Sequence, residues 1–318
     1  MYNHKTHAIV ASVKKEATEL SVKSVLIALS GGADSTATAF ALKNSGLQVK
    51  ALHCNFHLRG EESDRDENFV RSFCSSHEIP LSITDFDVPS YIEKHPGTSV
   101  EMACRNLRHD WFKDQLINTG FDRIATGHNA DDNIETFLIN MLRGCGTRGL
   151  RGMEKDNLTI WRPLLSFHRA QILEFLNHHK ISYVVDSTNL ESDFRRNFLR
   201  NKVIPLIKEE WRGFNSALDK TISNIASENK IVESTIEEIL REYKNHLPVE
   251  KIVSFPAPLL LIKRFIEILG PFSKTPREVF DSINANKPHI RRWRLRNGML
   301  ILHNGELFIE MSHCESRS

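Results

Sequence analysis

Apolar positions along the first half of the chain alternate between two periods. Short runs rich in β-formers at residues 24–30, 49–55, 81–87 and 123–126 are bounded by turn residues. Between them, apolar residues recur at helical spacing over 34–43, 63–77, 99–118 and 130–143. A strand–helix rhythm of this kind predicts an α/β fold: a doubly wound parallel sheet covered on both faces, with ligands held at the carboxyl ends of the strands.

The rhythm weakens towards residue 205 and then stops. From 215 to 246 the chain reads as one long helix, because Leu218, Ile222, Ile225, Val232, Ile236, Ile239 and Tyr243 recur at intervals of three, four or seven. Asn229 is the one polar interruption of that stripe, which reads as core packing. Two shorter helices are expected over 257–269 and 276–286. The tail from Trp293 to Met311 has two Asn-Gly turns between alternating residues, so it predicts a small β-meander. These patterns divide the chain near residue 210, into a sheet domain over 1–210 and a smaller, mainly helical domain with a β tail over 211–318. No internal repeat is visible.

Composition narrows the function classes only a little. The 318 residues are 40% hydrophobic and 26% charged, enough apolar material for a sizeable core, and the net charge of +2 decides nothing about partners. The five cysteines, Cys54, Cys74, Cys104, Cys145 and Cys314, contain no C-x-x-C pair. A disulfide framework or zinc ribbon needs closer pairing, so reduced thiols are expected. The first twenty residues carry no apolar core of signal-peptide length, and no apolar stretch reaches the roughly 18 residues of a membrane span. The expectation is a cytoplasmic protein with no membrane partner.

The first expected strand runs into Ser30-Gly31-Gly32-Ala33-Asp34-Ser35, and a helix follows. Adjacent glycines let the backbone approach a phosphate and aim several N–H groups at it, and the helix start adds a positive dipole. Ser30 and Ser35 can donate hydroxyl hydrogen bonds to phosphate oxygens. Asp34 does not suit a simple anion cradle, since a carboxylate repels phosphate; its expected purpose is to hold a Mg²⁺ that bridges to the phosphates. A bare Gly-Gly-x-Asp is more often a turn with an aspartate cap. The full hexapeptide between a buried strand and a helix reverses that weighting. It resembles the PP-loop of the N-type ATP pyrophosphatases, which implies cleavage of ATP between its α and β phosphates and adenylation of a substrate oxygen. No G-x-x-x-x-G-K-[ST] is present.

Downstream, His128 follows closely on the fourth expected strand, and Asp131, Asp132 and Glu135 occupy the start of the next helix. Asp132 and Glu135 are i and i+3, so they share one face. Acids at a helix start also suit the macrodipole, which accounts for one acid alone but poorly for His128 with all three. The segment from Ile124 through Arg143-Gly144-Cys145-Gly146 to Gly149-Leu150-Arg151-Gly152-Met153 is similar to the signature of lysidine synthetases. Further matches are His53-Cys54-Asn55-Phe56-His57-Leu58-Arg59, Glu101 to Arg108, Arg162-Pro163-Leu164-Leu165, Asp186-Ser187-Thr188-Asn189 and Arg196 to Arg200. They run in the family's order from residue 24 to about 207. Phe56 and His57 stand where the family commonly has His and Gly, and the additional domain of longer members has no counterpart legible here.

The resemblance implies a ligase that joins free L-lysine to carbon 2 of the wobble cytidine in the CAU anticodon of tRNA(Ile). The reaction uses ATP and Mg²⁺, passes through an adenylated cytidine, and changes codon specificity from AUG to AUA. It implies that Ser30 to Ser35 hold ATP, with Asp34 on the metal, and that Arg108, His128, Asp132 and Glu135 line the lysine and reaction site. Arg143 and the following glycines would shape a loop near the anticodon. Arg195, Arg196 and Arg200 are candidates for phosphate contacts, against the plainer reading of a solvated basic helix face. Arg292 and Arg294 belong to a run from 289 to 296 that interleaves four arginines with Trp293, suited to an RNA backbone or to a surface hairpin. The oligomeric state stays open, a homodimer being one arrangement. A tRNA thiolase would need paired cysteines, a glutamine-dependent synthetase an amidotransferase, and a non-catalytic tRNA-binding module would have no use for Asp34, Asp132 and Glu135.

Overall fold

The computed structural model describes residues 4–185, 194–270, 275–285 and 290–311. Asp186 to Asn189, His289 and Cys314, singled out above, lie outside them. The chain forms two compact units, 1–226 and 227–318, and the division falls within one long helix.

The first unit runs α1 (His4–Glu19), β1 (Ser24–Ala28), α2 (Ala33–Asn44), β2 (Gln48–Asn55), α3 (Glu61–Ser76), β3 (Leu81–Asp85), α4 (Val88–Lys94) and α5 (Val100–Thr119). It continues with β4 (Arg123–Ala125), α6 (Ala130–Leu142), α7 (Thr147–Leu150), β5 (Ile160–Trp161), α8 (Arg169–His178) and α9 (Phe194–Phe198). A π turn (Leu199–Val203), α10 (Ile204–Glu210) and the start of α11 (Phe214–Tyr243) complete it. All five strands are parallel, in the order β3-β2-β1-β4-β5. The four expected strands and their helices are present. A two-residue β5 joins the sheet at its β4 edge.

The central strands β1, β2 and β4 are largely buried on both faces, as crossover helices require, whereas the edge strand β3 is only half-buried. Alternate residues Leu26, Leu52 and Ile124 pack against Phe112 of α5, while Val25, Ile27, Ala51 and Ala125 pack towards Ile9, Ala37, Leu42, Ile172 and Phe175. α5 begins where the Ser99 hydroxyl accepts from the Met102 amide at 3.2 Å, and it stops at Gly120, whose φ of 66° a side chain would resist. Chain order along the sheet reverses between β1 and β4, so the loops following them border the crevice where open α/β sheets hold ligands. The first turns of α11 belong to this unit because Leu218, Ile222 and Ile225 pack with Ile134, Phe137 and Leu138 of α6.

The second unit contains the rest of α11, β6 (His246–Pro248), α12 (Val249–Ser254), α13 (Pro258–Ile266), a 3-10 turn (Glu267–Leu269) and α14 (Thr275–Asn284). The tail folds as β7 (Arg291–Leu295), β8 (Gly298–His303) and β9 (Glu306–Met311), an antiparallel meander that β6 extends to the order β6-β9-β8-β7. The β8–β9 turn places Asn304 at φ 49° and Gly305 at φ 76°, the two positive dihedrals a tight hairpin needs. Leu261, Ile262, Phe265, Leu300 and Leu307 fill its core.

Candidate active site at the carboxyl ends of β1 and β4

The loop after β1 is held by its own hydroxyl groups. Ser35 is buried; its hydroxyl donates to the Gly32 carbonyl at 3.0 Å, accepts from the Ser30 amide at 3.3 Å and lies 3.0 Å from Ser30 Oγ. Gly31 has φ 91°, and its carbonyl accepts from the Val184 amide at 2.9 Å and from Thr36 Oγ1 at 3.1 Å. Gly32 stays half-buried and Ser30 exposed, so the open side of the loop faces solvent. On the first turn of α2, Asp34 Oδ2 pairs with the Arg169 guanidinium, while Oδ1 is buried and makes no hydrogen bond among the described residues. Burial raises the Asp34 carboxyl above the ordinary value; Arg169 opposes the rise and Asp132 adds to it.

The loop after β4 packs directly on this turn. Gly127 sits so close that a β-carbon there would lie 2.8 Å from the Ser35 nitrogen and 2.9 Å from the Asp34 carbonyl carbon. His128 follows, with Nδ1 2.8 Å from Thr126 Oγ1. Burial pushes its imidazole below the ordinary value; Asp132 pulls the other way, and Arg162, Arg196 and Arg108 reinforce the drop. Asn129 then starts α6 through a reciprocal pair: Asp132 N donates to Asn129 Oδ1, and Asn129 N donates to Asp132 Oδ2, both at 3.1 Å. One oxygen of Asp132 therefore serves the helix start.

The other oxygen faces a cation. Arg200 Nη2 donates to Asp132 Oδ1 at 2.8 Å, and Arg200 also grips Glu135 from two nitrogens, at 2.6 and 2.8 Å. Glu135 is 2% exposed, and burial raises its carboxyl while Arg200 lowers it. A cavity of about 100 Å³ lies beside this cluster, lined by Asp132, Glu135, Arg169, Arg200, Lys208 and Asn215 among others.

Asp34, His128, Asp132 and Glu135 thus converge, as helix geometry and strand order imply. Arg108 is exposed on α5, and its charge acts on Cys54, Cys104 and His128. Arg200 is hydrogen-bonded to Asp132 and Glu135, Arg169 pairs with Asp34, and Arg196 ion-pairs with Glu135 at 3.4 Å while its Nη2 donates to Thr136 Oγ1 at 2.9 Å. Of the three arginines at 195–200, only Arg195 is fully exposed. Arg143 is exposed at the end of α6. On β7, Arg292 and Arg294 are exposed, whereas Arg291 turns back to Ser282 Oγ at 2.7 Å and Trp293 is half-buried.

Two neighbours of the site were not singled out from the sequence. Arg169 opens α8, and its amide donates to Asp131 Oδ2 at 2.8 Å. His168 lies 3.1 Å from Asp131 Oδ2 through Nδ1 and 2.9 Å from Asp219 Oδ2 through Nε2. The only local signal for either was the Arg162-Pro163-Leu164-Leu165 match just upstream.

Among the described residues, no group of three or more His, Cys, Asp or Glu could hold a metal ion by itself, and no helix is long and apolar enough to cross a membrane. A single Asp34 oxygen without a partner nevertheless fits a cation that takes its remaining ligands from phosphates.

Residues 4–207 match the family model described as a PP-loop domain. The tRNA(Ile)-lysidine synthase of Bacteroides thetaiotaomicron is 36% identical over 303 residues, covering 92% of this chain and 70% of that protein. The tRNA(Ile)-lysidine synthase of Parabacteroides distasonis is 40% identical over 250 residues, covering 77% of this chain but only 57% of that protein. A solved U34-tRNA thiolase of Methanococcus maripaludis, carrying an iron–sulfur cluster, superposes with a TM-score of 0.56 at 17% identity. That match covers 70% of this chain and 80% of the thiolase, and it supports the fold alone.

Proposed function

The chain belongs to the tRNA(Ile)-lysidine synthase family, with a PP-loop domain as its first part, and on that premise we propose that it ligates free L-lysine to the wobble cytidine of tRNA(Ile) with a CAU anticodon. The observation that carries this reading is the buried, partnerless Oδ1 of Asp34 on a glycine loop, with the Asp132–Glu135 pair beside it. Asp34 would hold Mg²⁺ together with the ATP phosphates, and the ion would supply charge neutralisation there. Residues 1–210 would carry the chemistry, and 211–318 would contribute tRNA contacts.

Cytosine carbon 2 is a poor electrophile because its oxygen leaves badly. In the proposed first step that oxygen bonds to the α phosphorus of ATP, the bond from that phosphorus to the β-phosphate oxygen breaks, and pyrophosphate leaves with the electron pair. The lysine side-chain amine then attacks carbon 2, the carbon–oxygen bond breaks, and AMP leaves. Amide N–H groups of the Gly31–Gly32 turn suit the phosphates.

Asp132 and Glu135 would hold the lysine side chain, with Arg108 towards its carboxylate. The pair already binds a guanidinium, so its affinity for a cation is built in, and lysine would compete with or displace Arg200. Deprotonating an amine of pKa about 10.4 near neutral pH costs about 5 kcal/mol. Glu135, raised by burial, suits the role of proton acceptor better than an ordinary carboxylate. His128, kept neutral by burial, can donate or accept one hydrogen bond at the reacting base. Arg143, Arg195, Arg292 and Arg294 offer exposed guanidinium groups to tRNA phosphates. Dependence on ATP, free lysine and tRNA suits the cytoplasm.

Incubation with ATP, isotopically labelled lysine and tRNA of CAU anticodon, followed by nucleoside mass analysis, tests the proposal. The expected product is a cytidine carrying the label, formed with AMP and pyrophosphate. Retention of tRNA on a filter without turnover would instead identify a binding module.

A further inference from the structure

Among the described residues, Arg169 is the cation ion-paired with Asp34, and it is held differently from Arg200. Arg200 makes three hydrogen bonds to two acids. Arg169 meets Asp34 through one nitrogen, and its side chain is 49% exposed. Its backbone is fixed, because its amide donates to Asp131 at the start of α6 while the residue opens α8. The guanidinium therefore sits on a fixed root beside the phosphate loop, in the wall of the cavity, half open to solvent.

A divalent ion on Asp34 would remove the reason for that contact. The carboxylate would then face two positive charges, and the guanidinium beside it would be repelled from the ion and attracted to the nearest anion. With nucleotide on the Gly31–Gly32 turn, that anion is the phosphate chain. A guanidinium is planar, permanently charged and suited to two phosphate oxygens at once.

We propose that Arg169 is a phosphate-binding residue that exchanges its Asp34 partner for the pyrophosphate end of ATP, stabilising the charge that gathers there as the bond between the α phosphorus and the bridging oxygen breaks. The oxygen of cytidine forms the new bond to phosphorus, pyrophosphate takes the electron pair, and Arg169 itself exchanges no proton. This rests on the ATP-splitting reading of the same loop. The guanidinium then has two states, an internal ion pair without nucleotide and an external one with it.

Three variants of the full chain, Arg169→Ala, Arg169→Gln and Arg169→Lys, separate this from a purely structural pair. Calorimetric titration with inorganic pyrophosphate in excess Mg²⁺ needs no turnover. It should show affinity falling about tenfold in the Ala and Gln variants and less in Arg169→Lys. Steady-state pyrophosphate release should lose roughly a hundredfold in kcat, while KM for lysine and for tRNA stays within about twofold. The Ala variant should need less Mg²⁺ for half-maximal effect, because Asp34 has lost its internal competitor. Unchanged pyrophosphate affinity would overturn the proposal. So would a rise in the KM values for ATP, lysine and tRNA together with a lowered melting temperature, the mark of a structural contact. If wild-type chain binds pyrophosphate through Arg169 yet makes no lysidine, the proposed function fails while this assignment stands.

Discussion

Arg200 grips Glu135 with two nitrogens, Nε to Oε1 at 2.6 Å and Nη2 to Oε2 at 2.8 Å, across 65 residues of sequence. The acid is 2% exposed, so its charge is sustained by that partner and by Arg196. Glu135→Gln keeps the shape and removes the charge. The loss leaves Asp132 as the carboxylate hydrogen-bonded to Arg200, and urea unfolding should show about 1–3 kcal/mol less stability. The lysine concentration for half-maximal ligation should rise at least about tenfold, while ATP-dependent activation of the tRNA persists. Normal lysine use by both this variant and Asp132→Asn would reduce the two acids to a charged helix start.

His168 bridges Asp131 and Asp219, with Asn215 against its Nδ1 and Lys208 on the far oxygen of Asp131. The hydrogen bond to Asp131 lifts the imidazole above its ordinary 6.5; burial opposes this and Asp219 helps. Although burial favours the neutral carboxyl, the bonds from His168 and the Arg169 amide hold Asp131 well below the usual range. The raised histidine contributes stability that is complete below pH 6.5 and lost as pH rises through its folded-state value. The lowered aspartate contributes stability present above pH 3.8 and lost as pH falls through its own folded-state value. Melting temperature should therefore decline above pH 6.5, and His168→Ala should flatten that decline. An identical slope in the variant would remove His168 as its source.

Gly127 supports the phosphate loop from behind. In Gly127→Ala the new methyl would meet backbone atoms, the Ser35 nitrogen and the Asp34 carbonyl carbon, which cannot rotate away. The loop or β4 must shift, at a cost of about 1–3 kcal/mol. Pyrophosphate release should fall by more than tenfold, a displacement of Asp34 being enough to misplace the phosphates. Full activity with unchanged melting would show that the two loops move independently.

Arg292 and Arg294 face outward on the edge strand β7. If both reach tRNA phosphates, affinity measured against salt should weaken steeply, and each Arg→Ala should reduce the log–log slope by roughly 0.7–1. Arg291→Ala, which removes an arginine bonded to Ser282, should leave the slope unchanged. Equal slopes in all three would return the run to a solvated hairpin.

The parts of this molecule written by local rules are legible in its sequence. A buried strand ending in Gly31-Gly32, the i, i+3 placement of Asp132 and Glu135, the Asn304-Gly305 hairpin and the parallel sheet with helices on both faces each follow from the preferences of a few neighbouring residues. Short or weakly patterned elements did not announce themselves. The two-residue β5 carries too few positions to show a period, although α1 had its signal in Ile9, Val13 and Ala17 at intervals of four. Partner choice inside the site was decided only by tertiary structure. Arg200 reaches Asp132 across 68 residues, and Arg169 reaches Asp34 across 135. In sequence Arg200 reads as a candidate phosphate contact, and Arg169 carries no signal of its own. Which acid each would meet depends on how the crossover connections return helices to the β1–β4 crevice. A charge pair gains enough to matter only where that packing has already excluded water.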